Sequence, residues 1–291
     1  MNLKNHKPVL FAILSALLYA VSLPVSKILL SEIQPALMSA LLYTGAGLGM
    51  SIIGYIQHKN GKNKIEAKLS KKDLPFVSAM IILDIAAPIF LMIGLTSASP
   101  ANASLLSNFE IVATSLIALL IFKEHISKRL WLAIILITVS SIILSIKDSS
   151  SFSFSIGSLF ILSGCICWGF ENNCTRMLSL KDPLEVVIIK GFGSGAVSFI
   201  IAYILNQWTD NIIYIVFALI LGFLSYGLSI FFYVYAQRKL GAAKTSAYYA
   251  LSPFIGVGFS FFIFKEKLNS YFIAALLIMI IGTYLVSNDT K

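Results

Sequence analysis

Ten apolar runs, each long enough to cross a bilayer, leave this chain almost nothing else to fold with. They lie at about Val9–Leu30, Pro35–Gln57, Leu74–Leu95, Pro100–Phe122, Leu130–Ile146, Ile156–Arg176, Leu184–Leu205, Ile212–Ala236, Ala243–Phe264 and Tyr271–Val286. A membrane-spanning helix needs about 20 apolar residues, so 291 residues hold ten spans with short connections and no soluble domain. No run alternates with the two-residue period of a membrane barrel strand, and the spans are therefore read as helices. Composition agrees. Hydrophobic residues make up 58%, charged residues 12%, and the mean hydropathy is +0.87; an ordinary soluble domain is about 45–50% apolar and about 25% charged. That balance argues against a water-soluble enzyme.

The formal net charge of +9 at pH 7 is scattered between the apolar runs rather than massed into a phosphate-binding patch, so no nucleic-acid partner is expected. The excess reads instead as topology. With the N-terminus inside, Lys147, Lys265 and Lys267 are the basic residues of the outer loops, and Lys27 and Lys190 lie within helices. All the others of the 22 Lys and Arg, from Lys4 and Lys7 to Lys291, fall on the inner side. The positive-inside rule then predicts an N-in, C-in, multi-pass protein of the cytoplasmic (inner) membrane. The first run also has the look of a cleaved leader, with Lys4 and Lys7 before an apolar core and Ala20-Val21-Ser22 as a small-residue site. Pro24 follows closely, and cleavage would remove a helix that has a counterpart later in the chain, so the run is read as retained. Cys165, Cys167 and Cys174 all fall in the sixth run, where they serve packing, and no zinc ligand set surrounds them.

Three sets of matches repeat in the same order. Phe122-Lys123-Glu124-His125-Ile126-Ser127 lies over Phe264-Lys265-Glu266-Lys267-Leu268-Asn269; Leu10, Phe11, Tyr19 and Lys27 fall on Leu159, Phe160, Trp168 and Arg176; and Gly45, Gly47 and Gly49 fall on Gly191, Gly193 and Gly195. The chain thus divides into two five-helix halves, 1–148 and 149–291. An odd number of spans per half makes the second half enter the membrane from the opposite side. That inverted arrangement is characteristic of secondary transporters, whose substrate sites form near the midplane between the halves. The alternative is an old duplication kept for stability alone.

These residues resemble the drug/metabolite transporter superfamily, and within it the EamA-like family of ten-helix transporters. The resemblance rests on an aromatic partway along the first helix of each half, Tyr19 and Trp168, and on a Glu ending the fourth helix of each half, Glu124 and Glu266. It covers essentially the whole chain. It implies ten helices in two inverted halves, transport of a small organic metabolite by alternating access, and no cofactor. Ile111 departs from the pattern, because many relatives carry a proline there and the second half keeps one at Pro253; the fourth helix is expected to be straighter than the ninth.

Ionisable groups inside a span cost about 2.5–3.5 kcal/mol on insertion scales and usually face a cavity or a partner. Four stand out: Asp84 in helix 3, Glu110 in helix 4, Glu171 in helix 6 and Lys190 in helix 7. Asp84 and Glu110 each lie about 11 residues from an end of their run, which at about 1.5 Å per residue is roughly the midplane. Glu171 and Lys190 lie at similar depth in consecutive helices, and a structural ion pair between them is expected. No base inside a span is then left for Asp84 and Glu110, which are candidates either for proton coupling and substrate binding or for permanently protonated, hydrogen-bonded carboxyls. Asn172 and Asn173 flank the pair, either to bind substrate or to hydrogen-bond across helices. In the repeat, Asp84 falls on Tyr226, Glu110 on Ser252 and Glu171 on Ser22, so polar positions coincide while charges do not, as a shared central cavity requires. Tyr19, Trp168 and Tyr226 complete the candidate substrate-binding set, together with Asp84, Glu110, Glu171, Asn172 and Asn173. Tyr233, Tyr248 and Tyr249 lie near it. The glycine clusters at Gly45, Gly49, Gly191 and Gly195 are expected to let helices 2 and 7 approach closely. Lys123-Glu124 and Lys265-Glu266 are expected to anchor helix ends.

Other classes fit less well. An intramembrane serine hydrolase needs a base beside its nucleophile, but His6, His58 and His125 all lie in loops. An aspartyl type needs two carboxyls sharing a site, and Asp84 is the sole aspartate inside a span, with Glu110 its one conceivable partner. There is no Gly-rich phosphate loop for ATP and no repeated ring of filter groups for a channel. A lipid-precursor flippase of the same superfamily remains as the alternative. The expected function is a secondary transporter, not an enzyme. Its expected partners are the lipid bilayer, protons and a small-molecule substrate. The resemblance implies export of an amino acid or related amine, and the oligomeric state is open.

Overall fold

A computed structural model of the chain describes residues 6–59, 67–121, 123, 126–148, 153–178, 181–240, 248–265 and 269–289. The described chain is helical apart from a small antiparallel ladder, β1 (Ile146–Asp148) with β2 (Ser153–Phe154), between the fifth and sixth apolar runs. Among the described residues, seven helices are long and apolar enough to cross a membrane: Lys7–Leu29, Pro35–Lys59, Lys71–Ser97, Pro100–Leu120, Lys128–Ser145, Pro183–Ile204 and Ile212–Ala236. Ser252–Phe264 and Ser270–Val286 are apolar but shorter. Ile156–Met177 has the length, but Glu171, Asn172 and Asn173 dilute its apolar character. The protein is a multi-pass membrane protein.

Several runs are interrupted. The first divides into α1 (His6–Ala20) and α2 (Ser22–Leu29). Pro24 explains the break, since it has no N–H to return to the Ala20 carbonyl and its ring crowds that turn. α3 spans Pro35–Lys59 and α4 spans Leu74–Ser97, the latter continuous through Pro88. The fourth run divides into α5 (Pro100–Leu106) and α6 (Phe109–Leu120). The fourth run is therefore not continuous, and the start of the ninth, with which it was compared, lies outside the described residues. No proline is needed for the break: the Asn108, Glu110 and Ile111 amides turn to carbonyls three residues back, at 3.0–3.1 Å, the tighter geometry of a 3₁₀ turn.

α7 (Lys128–Ser145), α8 (Ile156–Met177) and α9 (Pro183–Ile204) are uninterrupted. The eighth run contains α10 (Ile212–Gly222), a π-helical turn at Phe223–Leu228, and α11 (Ser229–Leu240). α12 (Ser252–Phe264) and α13 (Ser270–Asp289) follow.

The most extensive packing joins α4 with α8, α3 with α9 and α7 with α13; α6 with α8, α1 with α11, α3 with α10 and the π turn, and α5 with α12 follow. Glycines make the closest of these possible. A Cβ on Gly191 would lie 2.5 Å from the Gly47 nitrogen, and one on Gly94 would lie 2.6 Å from the Gly157 oxygen, so α3–α9 and α4–α8 meet backbone to backbone. Gly195 likewise faces Thr44 of α3, whereas Gly45 and Gly49 face Leu219 and Phe223 of the eighth run. The first-half cluster thus packs two neighbours rather than helix 7 alone.

Connecting segments clasp the bundle at both ends. At one end Asp182 donates its amide to the Ala67 carbonyl (2.9 Å), and Lys181 pairs with Asp73 (2.8 Å). At the other, Gln207 Oε1 accepts from the Ala36 amide (2.7 Å). Lys27 Nζ donates to the carbonyls of Leu95, Thr96 and Ala98 at 2.5, 3.0 and 3.2 Å, capping the carboxyl end of α4.

Candidate functional site

Two helix pairs bring four polar side chains to one point. α3 and α9 supply Tyr43 and Lys190, while α4 and α8 supply Asp84 and Glu171. Lys190 Nζ lies 2.9 Å from Asp84 Oδ2 and 3.0 Å from Glu171 Oε1. Tyr43 donates its hydroxyl to Asp84 Oδ1 (2.8 Å), and Thr175, one turn along α8, donates to Glu171 Oε1. The cluster is deeply buried, with exposures of 0% for Asp84, 3% for Glu171 and 7% for Lys190. Within α4, Pro88 has no N–H for the Asp84 carbonyl, so the acid sits at a loosened turn.

The sequence reading left Asp84 without a base, and here the structure differs. Lys190 serves both carboxylates. Depth counted along a helix does not capture this, because the flexible stem of lysine carries the ammonium well away from its own Cα.

A second polar group joins α6 to α8. Asn172 Nδ2 donates to Glu110 Oε1 (2.6 Å) and to Thr114 Oγ1 (3.3 Å). Asn173 Nδ2 donates to the Gly169 and Thr114 carbonyls at 2.8 and 3.1 Å. Asn173 therefore spends its amide on helix packing, and Asn172 holds the carboxylate that follows the α5–α6 break. Both asparagines, with Thr114, Ser115 and Arg176, line a cavity of about 200 Å³ between α6, the start of α7 and the last turns of α8.

Tyrosines form a third group. Tyr43 and Tyr226 lie 5.3 Å apart between ring centroids, Tyr226 and Tyr19 6.0 Å, Tyr19 and Tyr249 5.7 Å, and Tyr249 and Tyr233 5.0 Å. The row crosses from α3 through the π turn to α1, and Tyr43 ties it to the charge cluster. π turns are frequent at functional sites, where they re-aim a side chain; this one carries Tyr226. Beside Tyr19, the Ser104 and Ser252 hydroxyls line a second, smaller cavity, and neither makes a hydrogen bond in the described structure. Trp168 is buried at 6% exposure in the main core on α8.

Of the residues singled out from sequence, the structure joins Asp84, Glu171 and Lys190 in one cluster, Glu110 with Asn172 in another, and Tyr19 with Tyr226 in the aromatic row. Glu124 and Glu266 lie outside the described residues. Tyr43, Thr114 and Thr175 were missed. Tyr43 could have been suspected as a hydroxyl-bearing aromatic in the middle of an apolar run.

Comparison with known proteins places this membrane bundle, with its buried charge cluster, in a family. The sequence matches the EamA-like transporter family over residues 6–146 and 155–288. The chain belongs to the EamA-like transporter family. Relatives carry matching descriptions. An uncharacterized transporter of Methanothermobacter thermautotrophicus is 25% identical over 288 residues, covering 94% of this chain and 84% of that protein. The uncharacterized transporter YyaM of Bacillus subtilis is 24% identical over 207 residues, 67% of each chain. A solved crystal structure superposes with a TM-score of 0.68 at 17% identity, covering 96% of this chain and 97% of that one; it attests the fold alone. Membership of the EamA-like family points to a membrane transporter rather than an enzyme.

Proposed function

We propose that the protein is a proton-coupled secondary transporter of the cytoplasmic membrane that exports a small organic metabolite, an amino acid or related amine, by alternating access. The observation that carries this reading is the burial of Asp84, Glu171 and Lys190 in one contact at 0–7% exposure, beside the tyrosine row. Ionisable groups inside a membrane mark substrate and ion pathways.

In this reading the chain has ten spans in two inverted halves, 1–148 and 149–291, with both termini inside. The helix pairing supports it. Exchanging the halves maps the α3–α9, α7–α13 and α5–α12 contacts onto themselves and swaps α4–α8 with α1–α11. The family match in two stretches, 6–146 and 155–288, supports the boundary. Under this topology the cavity beside Arg176 lies toward the cytoplasm. The opposite end is held by Lys27 on the end of α4 and by α5 against α12, where a Cβ on Gly256 would lie 2.7 Å from Ser104 Oγ. That asymmetry supports an inward-facing state. Substrate then enters past Arg176, Asn172 and Asn173 toward Glu110, Tyr19, Trp168 and Tyr226.

The test is purified protein in liposomes with an imposed pH gradient, screened against amino acids and amines. Wild type is expected to move at least one of them vectorially, with Asp84→Asn and Glu110→Gln examined for loss of pH dependence. If both variants keep unchanged pH-dependent flux, neither carboxyl couples.

A further inference from the structure

The charge cluster is unbalanced. It contains two carboxylates, Asp84 and Glu171, but one ammonium, Lys190, and with all three ionised it carries one net negative charge. A net charge buried this deeply is strongly disfavoured, and such a site neutralises itself by binding a counter-charge.

Among the described residues, the contacts of these three groups include no second cation. From α3 the cluster receives the Tyr43 hydroxyl and from α8 the Thr175 hydroxyl, both neutral donors. The further titratable groups near it are Tyr226 of the π turn, Cys174 of α8 and Glu110 of α6, none of them cationic. Arg176 leaves α8 five residues after Glu171, on another face, and lines the cavity instead.

We propose that Asp84 and Glu171 together hold one exchangeable proton, with Lys190 as the fixed counter-charge that sets the number at one. The two acids share the ammonium, so the proton has two places to sit. When it is bonded to an Asp84 oxygen, Lys190 pairs with ionised Glu171; when it moves to Glu171, the Asp84 carboxylate takes the ammonium. This deepens the proton-coupled reading above and rests on it only for how the proton is used. It assigns coupling to a pair with a lysine rather than to Glu110.

The count is the testable quantity. Infrared difference spectra of the purified protein in lipid, pH-cycled in H₂O and D₂O, report the C=O stretch of protonated carboxyls. A Glu110→Gln background removes the other carboxyl deep in a span. In that background the expected number of protonated carboxyls is one for the parent, none for Glu171→Gln or Asp84→Asn, and one for the double variant Lys190→Met with Glu171→Gln. Lys190→Met alone should raise the band about twofold. If that variant does not fold, the double variant, whose charge count equals the parent's, still decides the matter. A band that persists in Glu171→Gln, or one absent from the double variant, overturns the proposal. Flux driven by a pH gradient but without this band pattern would overturn the site and leave the transporter reading standing. The band pattern without such flux would support the site and remove its role in coupling.

Discussion

Tyr43 donates its hydroxyl to Asp84 across 2.8 Å, joining the tyrosine row of α1, α3 and the π turn to the charge cluster between α4, α8 and α9. Removing that donor leaves Asp84 Oδ1 buried and without it. Tyr43→Phe should therefore destabilise the protein by about 1–3 kcal/mol, read as a lower thermal unfolding midpoint of the purified protein. An unchanged midpoint would mean that water or another donor already serves that oxygen.

Lys190 holds two acids, so its loss should be worse than the loss of either acid. Removing one partner of a buried ion pair costs about 3–5 kcal/mol, while removing both is far milder. Lys190→Met should reduce the yield of monodisperse protein, and pairing it with Glu171→Gln should restore much of that yield. Equal yields for single and double variants would contradict the shared-lysine geometry.

Backbone contact at Gly191 makes a sharp steric prediction. A methyl group there would lie 2.5 Å from the Gly47 nitrogen and 2.8 Å from the Tyr43 carbonyl, both on α3. Gly191→Ala should cost about 1–3 kcal/mol through overpacking. Gly258→Ala is the control: nothing lies within 4 Å of its Cβ, and the change should be neutral or stabilising by about 0.5–1 kcal/mol through helix propensity. Paired thermal unfolding curves would check both.

Lys27 caps the carboxyl end of α4 through three carbonyls. Lys27→Met keeps the stem but removes the donors and the favourable charge at the helix end, so a loss of about 1 kcal/mol is expected. If this end is the outer closure, the variant should also expose a cysteine placed at Ser104 to membrane-impermeant thiol reagents, in a background lacking Cys165, Cys167 and Cys174. No increase in labelling over the Lys27 parent would count against a closing role.

The long-range architecture was largely legible because membrane spans are written in continuous runs. The apolar runs at Pro35–Gln57 and Leu184–Leu205 correspond closely to α3 and α9, whose polar ends and glycines were visible in order. Interruptions were harder to see. Pro24 signals the α1–α2 break by a local rule, but the α5–α6 break at Ser107–Asn108 has no proline or glycine and depends on a 3₁₀ pattern of hydrogen bonds. The charged members of the cluster were legible, whereas Tyr43, Thr175 and the connectivity were not. Glu171 and Lys190 are near in sequence and matched in depth. Asp84 reaches the same ammonium through the α4–α8 and α3–α9 pairings, which a single sequence does not encode locally.

Glu110 and Asn172 give a final contrast between candidates. Gln at position 110 can still accept the Asn172 amide, so Glu110→Gln should fold normally while losing any proton of its own. The most direct measurement of the central claim is flux into or out of proteoliposomes under an imposed pH gradient, for wild type, Glu110→Gln and Asp84→Asn side by side. The account predicts pH-driven vectorial movement of an amino acid or amine in wild type, retained pH dependence of whatever flux Glu110→Gln supports, and loss of pH dependence in Asp84→Asn. Flux that keeps its full pH dependence in folded Asp84→Asn protein, or no flux of any amino acid or amine in wild type, would contradict it.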